Sequence, residues 1–219
     1  MEDPVNTAEF WEACYETEMD NWDLGGPTPV FERIASEIPK GRICVVGCGR
    51  GYDAVTFAKA GFDQLTIVTG ASHNLIVQAL EADAPPIAIH FVRNWQPEAG
   101  QLSSILVGMD AAITPTVQAI LLTLVDIPFI AVETIQAIVE AYHKNHSPIV
   151  RPAIGSRHGH PVLFDRSLFH ALRKADPERG AKTVLRKYEK DILNVRISDE
   201  GALTDIDTPV DYAEAMLWK

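Results

Sequence analysis

Ile43-Cys44-Val45-Val46 runs directly into Gly47-Cys48-Gly49-Arg50-Gly51, and that into Tyr52-Asp53-Ala54. Apolar residues without polar alternation read as a strand buried on both faces. The glycines that follow make a tight turn, and the spacing beyond predicts a helix over 52–60, closed by Gly61. Strand, turn and helix open a parallel α/β unit, because parallel strands need a crossover between them.

The same rhythm continues downstream. Strands are expected over 65–68 and 87–92, and the apolar run 119–124 is the strongest of all. Helices are expected around Leu75, Ile76, Ala79 and Leu80, over 103–112, and over 133–142 with Ile135, Ile138 and Val139 inward. Upstream, Thr28-Pro29 starts a helix that Pro39-Lys40-Gly41 ends, and Trp22-Asp23-Leu24-Gly25-Gly26-Pro27 is a loop. Asn6 with Glu9 signals an earlier helix whose Ala8, Trp11 and Tyr15 share a face. After Pro148 the pattern is less regular. Ile149-Val150 and 161–164 flank Gly155 and Gly159 like a hairpin; helices over 168–174 and 182–188 and a strand over 192–197 follow. Thr208-Pro209 starts a final helix. Strands separated by helices imply a three-layer α/β/α sandwich, Rossmann-like and doubly wound on a mostly parallel sheet. One domain over 1–219 is expected, with 1–40 as a helical extension, and its binding crevice at the carboxyl ends of the strands.

Composition narrows the partners. Apolar residues at 47% and charged residues at 22% fit a soluble globular chain. A net charge of −11 argues against nucleic acid or an anionic membrane surface as partner. No apolar run approaches the ~20 residues that span a bilayer, and Met1-Glu2-Asp3-Pro4 does not open a signal peptide. Three cysteines (Cys14, Cys44, Cys48) without a C-x-x-C pair suit a reducing cytoplasm.

Gly47, Cys48, Gly49 and Gly51 are candidate binding residues: the glycines admit a ligand to the backbone, and the helix behind them presents free N–H groups. Asp53 either contacts that ligand or complements the helix dipole. The acidic residue that would hold a ribose ~20 positions on is missing. Ile67-Val68-Thr69 stands there, with Asp63 too early and Glu81 too late. Asp126, fixed by Ile127-Pro128 after a strand, is a candidate Mg²⁺ ligand, and Asp205 and Asp207 are placed to bring a second carboxylate. Turn or helix capping competes for Asp126, Asp207 and Thr208 alike. Arg157-His158-Gly159-His160 reads as a polar hairpin tip rather than a metal site, His90 as a core histidine, and Trp11, Trp22 and Trp95 as packing. No G-x-S-x-G nucleophile turn occurs.

Two family resemblances run through these residues. Phe10-Trp11-Glu12, the loop from Trp22 to Thr28-Pro29, and Val46-Gly47-Cys48-Gly49-Arg50-Gly51-Tyr52-Asp53-Ala54 resemble the start of thiopurine-methyltransferase-like enzymes that use S-adenosylmethionine. That likeness covers 10–62 and implies Trp22 and the glycines at the cofactor. From about Gly61 to Ala215 the chain instead resembles the molybdenum-cofactor nucleotidyltransferases, molybdopterin cytidylyl- and guanylyltransferase-like. The carriers are Thr66-Ile67-Val68-Thr69-Gly70, Asn94-Trp95 with Gly100 and Ser103-Ser104, Asp126-Ile127-Pro128-Phe129, Gly159-His160-Pro161-Val162-Leu163-Phe164-Asp165 and Asp205-Ile206-Asp207-Thr208-Pro209. This likeness implies Mg²⁺ on Asp126 and Asp207. Val125 departs from that family's glycine, and the basic Gly-rich loop that opens it is replaced by the methyltransferase-like unit.

Together they imply a recombinant, spliced near 61–68, that binds a small-molecule nucleotide or an adenosine-type ligand with neither activity complete. Mg²⁺-dependent transfer from CTP or GTP to a pterin-like acceptor and methyl transfer from S-adenosylmethionine are the enzymatic alternatives. The apolar face of Trp11, Tyr15, Phe31 and Ile34, lacking its ancestral partner, could promote homo-oligomers.

Overall fold

The computed structural model describes residues 26–37, 42–46, 51–62, 64–70, 73–83, 89–124, 126–127, 129–176 and 179–205. The helix expected around Ala8 to Tyr15, the Trp22 loop, Gly47, Cys48, Gly49, Asp207 and the final helix lie outside them. The fold is α/β, and the chain divides into two compact units, Met1–Thr114 and Pro115–Lys219.

The first unit runs α1 (Pro29–Glu37), β1 (Arg42–Val46), α2 (Tyr52–Lys59), β2 (Gln64–Thr69), α3 (His73–Asp83), β3 (Ile89–Arg93), a short 3-10 turn (Pro97–Ala99) and α4 (Gln101–Ala112). Its strands are parallel in the order β1-β2-β3, with Cys44 opposite Thr66 and Thr66 opposite His90. The period of two assigns the faces. Ile43, Val45, Leu65, Ile67, Ile89 and Phe91 meet Ala54, Phe57 and Ala58 of α2 and Leu80 of α3. On the opposite face, α4 comes so close that Gly108 has Cys44, Val46 and Val68 as its neighbours. Three layers result. Burial raises the Cys44 thiol to about 11, so it stays protonated and packs as a small apolar group.

Phe31 and Ile34 correct the expectation of an unpartnered face. Ile34 is buried in α1, and the Phe31 ring lies 5.5 Å from that of Phe57 on α2. His90 is corrected too: it is exposed rather than a core histidine. Among the described strands, β3 is paired with β2.

The second unit runs β4 (Ala119–Leu122), α5 (Val132–Asn145), β5 (Ile149–Ile154), β6 (Arg157–His158), β7 (Val162–Asp165), a 3-10 turn (Arg166–Leu168), α6 (Phe169–Arg173), α7 (Lys182–Lys187), β8 (Ile192–Arg196) and a 3-10 turn (Glu200–Leu203). Its sheet is mixed: β4-β7-β5-β6 pair antiparallel, and β8 joins β5 in parallel. Connection length explains the change of direction. The Gly155-Ser156 turn between β5 and β6 is too short for a crossover, whereas everything from β6 to α7 separates β5 from its parallel partner β8. Ile138 and Tyr142 of α5 pack on Val150 and Leu163.

Tyr142 also closes a polar latch. Its hydroxyl donates to Asp165 Oδ2 at 2.7 Å, and Asp165 Oδ1 accepts the Ser167 amide at 2.8 Å. Burial, reinforced by the Asp165 carboxylate, raises the Tyr142 phenol to about 12. Burial pushes Asp165 up, but hydrogen bonds from Ser167, Tyr142 and the Arg166 amide outweigh it and hold the carboxyl below its ordinary value. The signs are opposite. The Asp165 contribution is complete above the ordinary aspartate range and fades as pH falls through its lowered pKa; that of Tyr142 is complete below about 10 and fades through about 12. Tyr142→Phe should therefore lower the urea midpoint at pH 7, with the gap to the parent closing at both acid and alkaline extremes.

Candidate functional site

Three segments of the C-terminal unit converge: 126–131 after β4, 157–161 from β6 onward, and 199–205 after β8. The amide of His160 donates to the Ala202 carbonyl at 2.9 Å. Arg157 Nη2 holds both carboxylate oxygens of Glu200, at 2.7 and 2.9 Å. Asp199 Oδ2 accepts from the Ala131 amide and from the Thr134 hydroxyl, each at 2.8 Å. Gly201 lies against the Phe129 carbonyl with no room for a side chain.

Within this frame sits His160, which sequence reasoning passed over as part of a polar hairpin tip. Arg157 and His158 do form that hairpin, paired with Ile154 and Ala153. His160 turns away from it, with Nδ1 3.4 Å from the Leu122 carbonyl at the end of β4. Burial pushes the imidazole down more strongly than the Leu122 carbonyl and the charges of Asp126 and Asp205 push it up. The ring is therefore held toward its neutral form. A carbonyl only accepts, so Nδ1 carries the proton in that bond and Nε2 keeps its lone pair. Asp126 follows Leu122 by four residues, and its Oδ1 is shut off from solvent. Asp205 is exposed. The missed signal was tertiary: nothing local brings residue 160 to the end of residue 122's strand.

A divalent cation fits this donor set in one way only. Among the described residues, no group of three or more His, Cys, Asp or Glu side chains is arranged to hold a metal by itself. Mg²⁺ needs no such cage; it keeps waters and takes one or two carboxylates together with substrate phosphates.

The N-terminal unit offers different chemistry. Of the glycine turn, Gly51 is described: its φ of 87° is left-handed, and it caps α2 where a Cβ would stand 2.8 Å from Leu80 Cδ2. Gly51 also lines a half-open cavity of 780 Å³ with Pro27, Glu32, Tyr52, Val55 and Leu80. Asp53 is engaged inside the protein, accepting the Thr28 amide at 2.7 Å and the Thr28 hydroxyl at 3.0 Å. Burial raises its pKa despite those bonds. Its ionised form thus weakens the fold as pH rises through the raised pKa. Asp53→Asn, which keeps the amide bond at Oδ1 and turns the hydroxyl bond round so that Nδ2 donates to Thr28, removes the charge and should leave the neutral-pH denaturation midpoint unchanged or higher. Asp53→Ala, which strands the Thr28 amide, should cost about 1–3 kcal/mol.

At the ends of β2 and β3, the buried Asn94 side chain donates to Ser103 and Ser104 at 2.8 and 2.9 Å and accepts the Gln96 amide at 2.9 Å. Trp95 beside it is 75% exposed, with the Arg93 guanidinium 4.2 Å from its ring centroid, so it is not a packing residue. Thr69, where a ribose-binding acid was missing, pairs its hydroxyl with His73 Nδ1 at 2.6 Å.

Residues 52–192 match the MobA-like NTP transferase domain. The chain belongs to that family. The match begins ahead of the boundary expected near Gly61, and β1 with the glycine turn as far as Gly51 lies outside it.

Solved structures agree in fold. The manganese complex of Rv0371c from Mycobacterium tuberculosis superposes with a TM-score of 0.51 at 23% identity, over 80% of this chain and 95% of that one. The 4-diphosphocytidyl-2C-methyl-D-erythritol synthase of Anaerococcus prevotii gives 0.53 at 18% identity, over 82% and 98%. The molybdopterin-guanine dinucleotide biosynthesis protein A of Archaeoglobus fulgidus gives 0.52 at 13%, over 81% and 96%.

Curated relatives point elsewhere. A probable thiol methyltransferase 2 of Arabidopsis thaliana is 44% identical over 55 residues, 24% of this chain. Thiocyanate methyltransferase 1 of the same plant is 32% identical over 96 residues, 40% of this chain. The chain spans 24% and 41% of those two proteins' lengths. Among the described residues, no helix is long and apolar enough to cross a membrane.

Proposed function

We propose that this chain is a recombinant: a nucleotidyltransferase-like body that binds a nucleotide with a divalent cation, behind a methyltransferase-like opening, with no complete turnover. The observation that carries the reading is the start of the family match at Tyr52, which leaves β1 and the glycine turn outside the matched residues. Methyltransferase matches that cover 24% and 40% of the chain support a short second ancestry of that kind.

In this reading Asp126 binds the cation, with Asp205 or Asp207 as the second carboxylate. Bound there, the cation would neutralise charge on the nucleotide's phosphates and favour departure of pyrophosphate. His160 keeps a neutral imidazole beside the carboxylates, able to accept a hydrogen bond at Nε2 without adding a competing positive charge. Gly159 and the 199–205 segment hold that ring in place. The Mg²⁺ expectation is thereby retained in the broader form of a divalent cation, and a manganese complex among the structural neighbours is consistent with it.

Pyrophosphate release from CTP and from GTP with Mg²⁺ tests the incomplete turnover. The reading expects release no faster than without protein, despite measurable nucleotide binding. Release that disappears in Asp126→Ala would instead establish the nucleotidyltransferase alternative. Methyl transfer is the second reading, favoured by the short methyltransferase matches. Calorimetry with S-adenosylhomocysteine decides it, with binding abolished by Gly49→Val as the supporting result.

A further inference from the structure

We infer that Asp199 is a positioning residue for the cation site, a role that rests on the reading of Asp126 as cation ligand. Helix α5 begins at Val132 with Ala131 as its cap, a residue with no side chain to satisfy the free amides of the first turn. The acceptor comes instead from 68 positions along the chain: Asp199 Oδ2 takes the Ala131 amide, and from 65 positions the Thr134 hydroxyl. A local serine or aspartate would have capped the helix equally well. The distant carboxylate does something a local cap cannot.

Asp199 fastens two segments together. Ala131 ends the stretch that begins at Asp126, and Asp199 opens the stretch that ends at Asp205. Between Asp199 and Asp205 the 3-10 turn Glu200–Leu203 carries the Ala202 carbonyl that holds the His160 amide, and Glu200 that holds Arg157. Gly201 rests on the Phe129 carbonyl, so the two segments touch there as well. One carboxylate thus helps to fix the spacing of Asp126 from Asp205 and His160 by joining the segments that carry them. Without it the 126–131 loop keeps its chain connections and the Gly201–Phe129 contact but loses its hydrogen-bonded tie to the segment bearing the second acid. Groups that orient metal ligands from behind are worth roughly 10–100-fold in affinity.

The test is calorimetric titration of the full chain with CTP and with GTP in Mn²⁺, repeated in a chelator so that the cation-dependent part of the affinity is read. Asp199→Asn, which keeps an acceptor for both bonds, should bind within about twofold of the parent. Asp199→Ala should weaken binding at least about tenfold. Tyr142→Phe, which loosens the same unit at the Asp165 latch, should bind as the parent does and so separates positioning from stability. If Asp199→Ala does not fold, Thr134→Val, which deletes one of the two bonds, takes its place with an expected loss of about threefold. Parental affinity in Asp199→Ala, or in Thr134→Val in its stead, alongside a loss in Asp126→Ala, overturns the positioning role and leaves the cation site standing. No cation-dependent nucleotide binding by the unaltered chain overturns both.

Discussion

Gly159→Ala is expected to unfold the C-terminal unit's site, costing about 4 kcal/mol or more, at the upper end of what single substitutions do. A Cβ at residue 159 would fall on the carbonyl oxygen of Ala202, 2.8 Å from its carbon and 2.9 Å from Leu203 Cδ1. The first two are backbone atoms, so no rotamer change relieves the clash. Relief requires the 3-10 turn Glu200–Leu203 to move off, and that motion breaks the bond from the His160 amide to Ala202. It also strains the Gly159 amide's bond to the Pro152 carbonyl, 3.3 Å long. A buried amide stripped of its acceptor adds about 1–3 kcal/mol to the steric penalty. Urea denaturation followed by circular dichroism reads the effect. A midpoint matching the parent's would show that the close approach at 159 is not part of the folded state.

Asp126→Ala is expected to weaken divalent-dependent nucleotide binding at least about tenfold, equivalent to about 1.4 kcal/mol, with little change in stability. The carboxylate lies beyond the end of β4, near the imidazole of His160, where its charge is felt by the ring. Removing it deletes the anionic ligand that a hard cation prefers and leaves the neutral imidazole and Asp205 behind. Asp126→Asn keeps size and one carbonyl oxygen, so its loss should fall between parent and alanine. The same titration in a chelator should bring parent and variant together. Equal affinities of parent and Asp126→Ala in Mg²⁺ would remove Asp126 from the site.

The parts of this protein that were legible in its sequence are those decided within one helical turn or one strand. Ile43 to Val46 and Leu65 to Val68 read as strands from short apolar runs and are strands, Leu65 to Val68 buried and Ile43 to Val46 half-buried. Tyr52 follows a glycine that adopts a left-handed φ, and the helix begins there. Asp126 could be proposed from sequence because a carboxylate fixed just beyond a strand is a local pattern.

What stayed hidden was set by distance. The cap of α5 comes from Asp199, and no rule of spacing links residue 199 to residue 131. His160 shares a short run with Arg157 and His158, yet its ring belongs with Leu122, 38 positions away. Trp95 misled for a different reason. Tryptophan is usually buried, but here the neighbouring Asn94 takes the interior position through its serine bonds and leaves the indole outside against Arg93. Phe31 and Ile34 misled because neither is left uncovered: Phe31 meets Phe57 of α2, and Ile34 is buried.

Calorimetric titration of the full chain with CTP and with GTP, in Mg²⁺ and again in a chelator, bears most directly on the proposed function. The account predicts saturable binding of at least one nucleotide in Mg²⁺, weakened at least about tenfold when the cation is withdrawn. Heats no larger than dilution for both nucleotides, or affinities unchanged by the chelator, would contradict it.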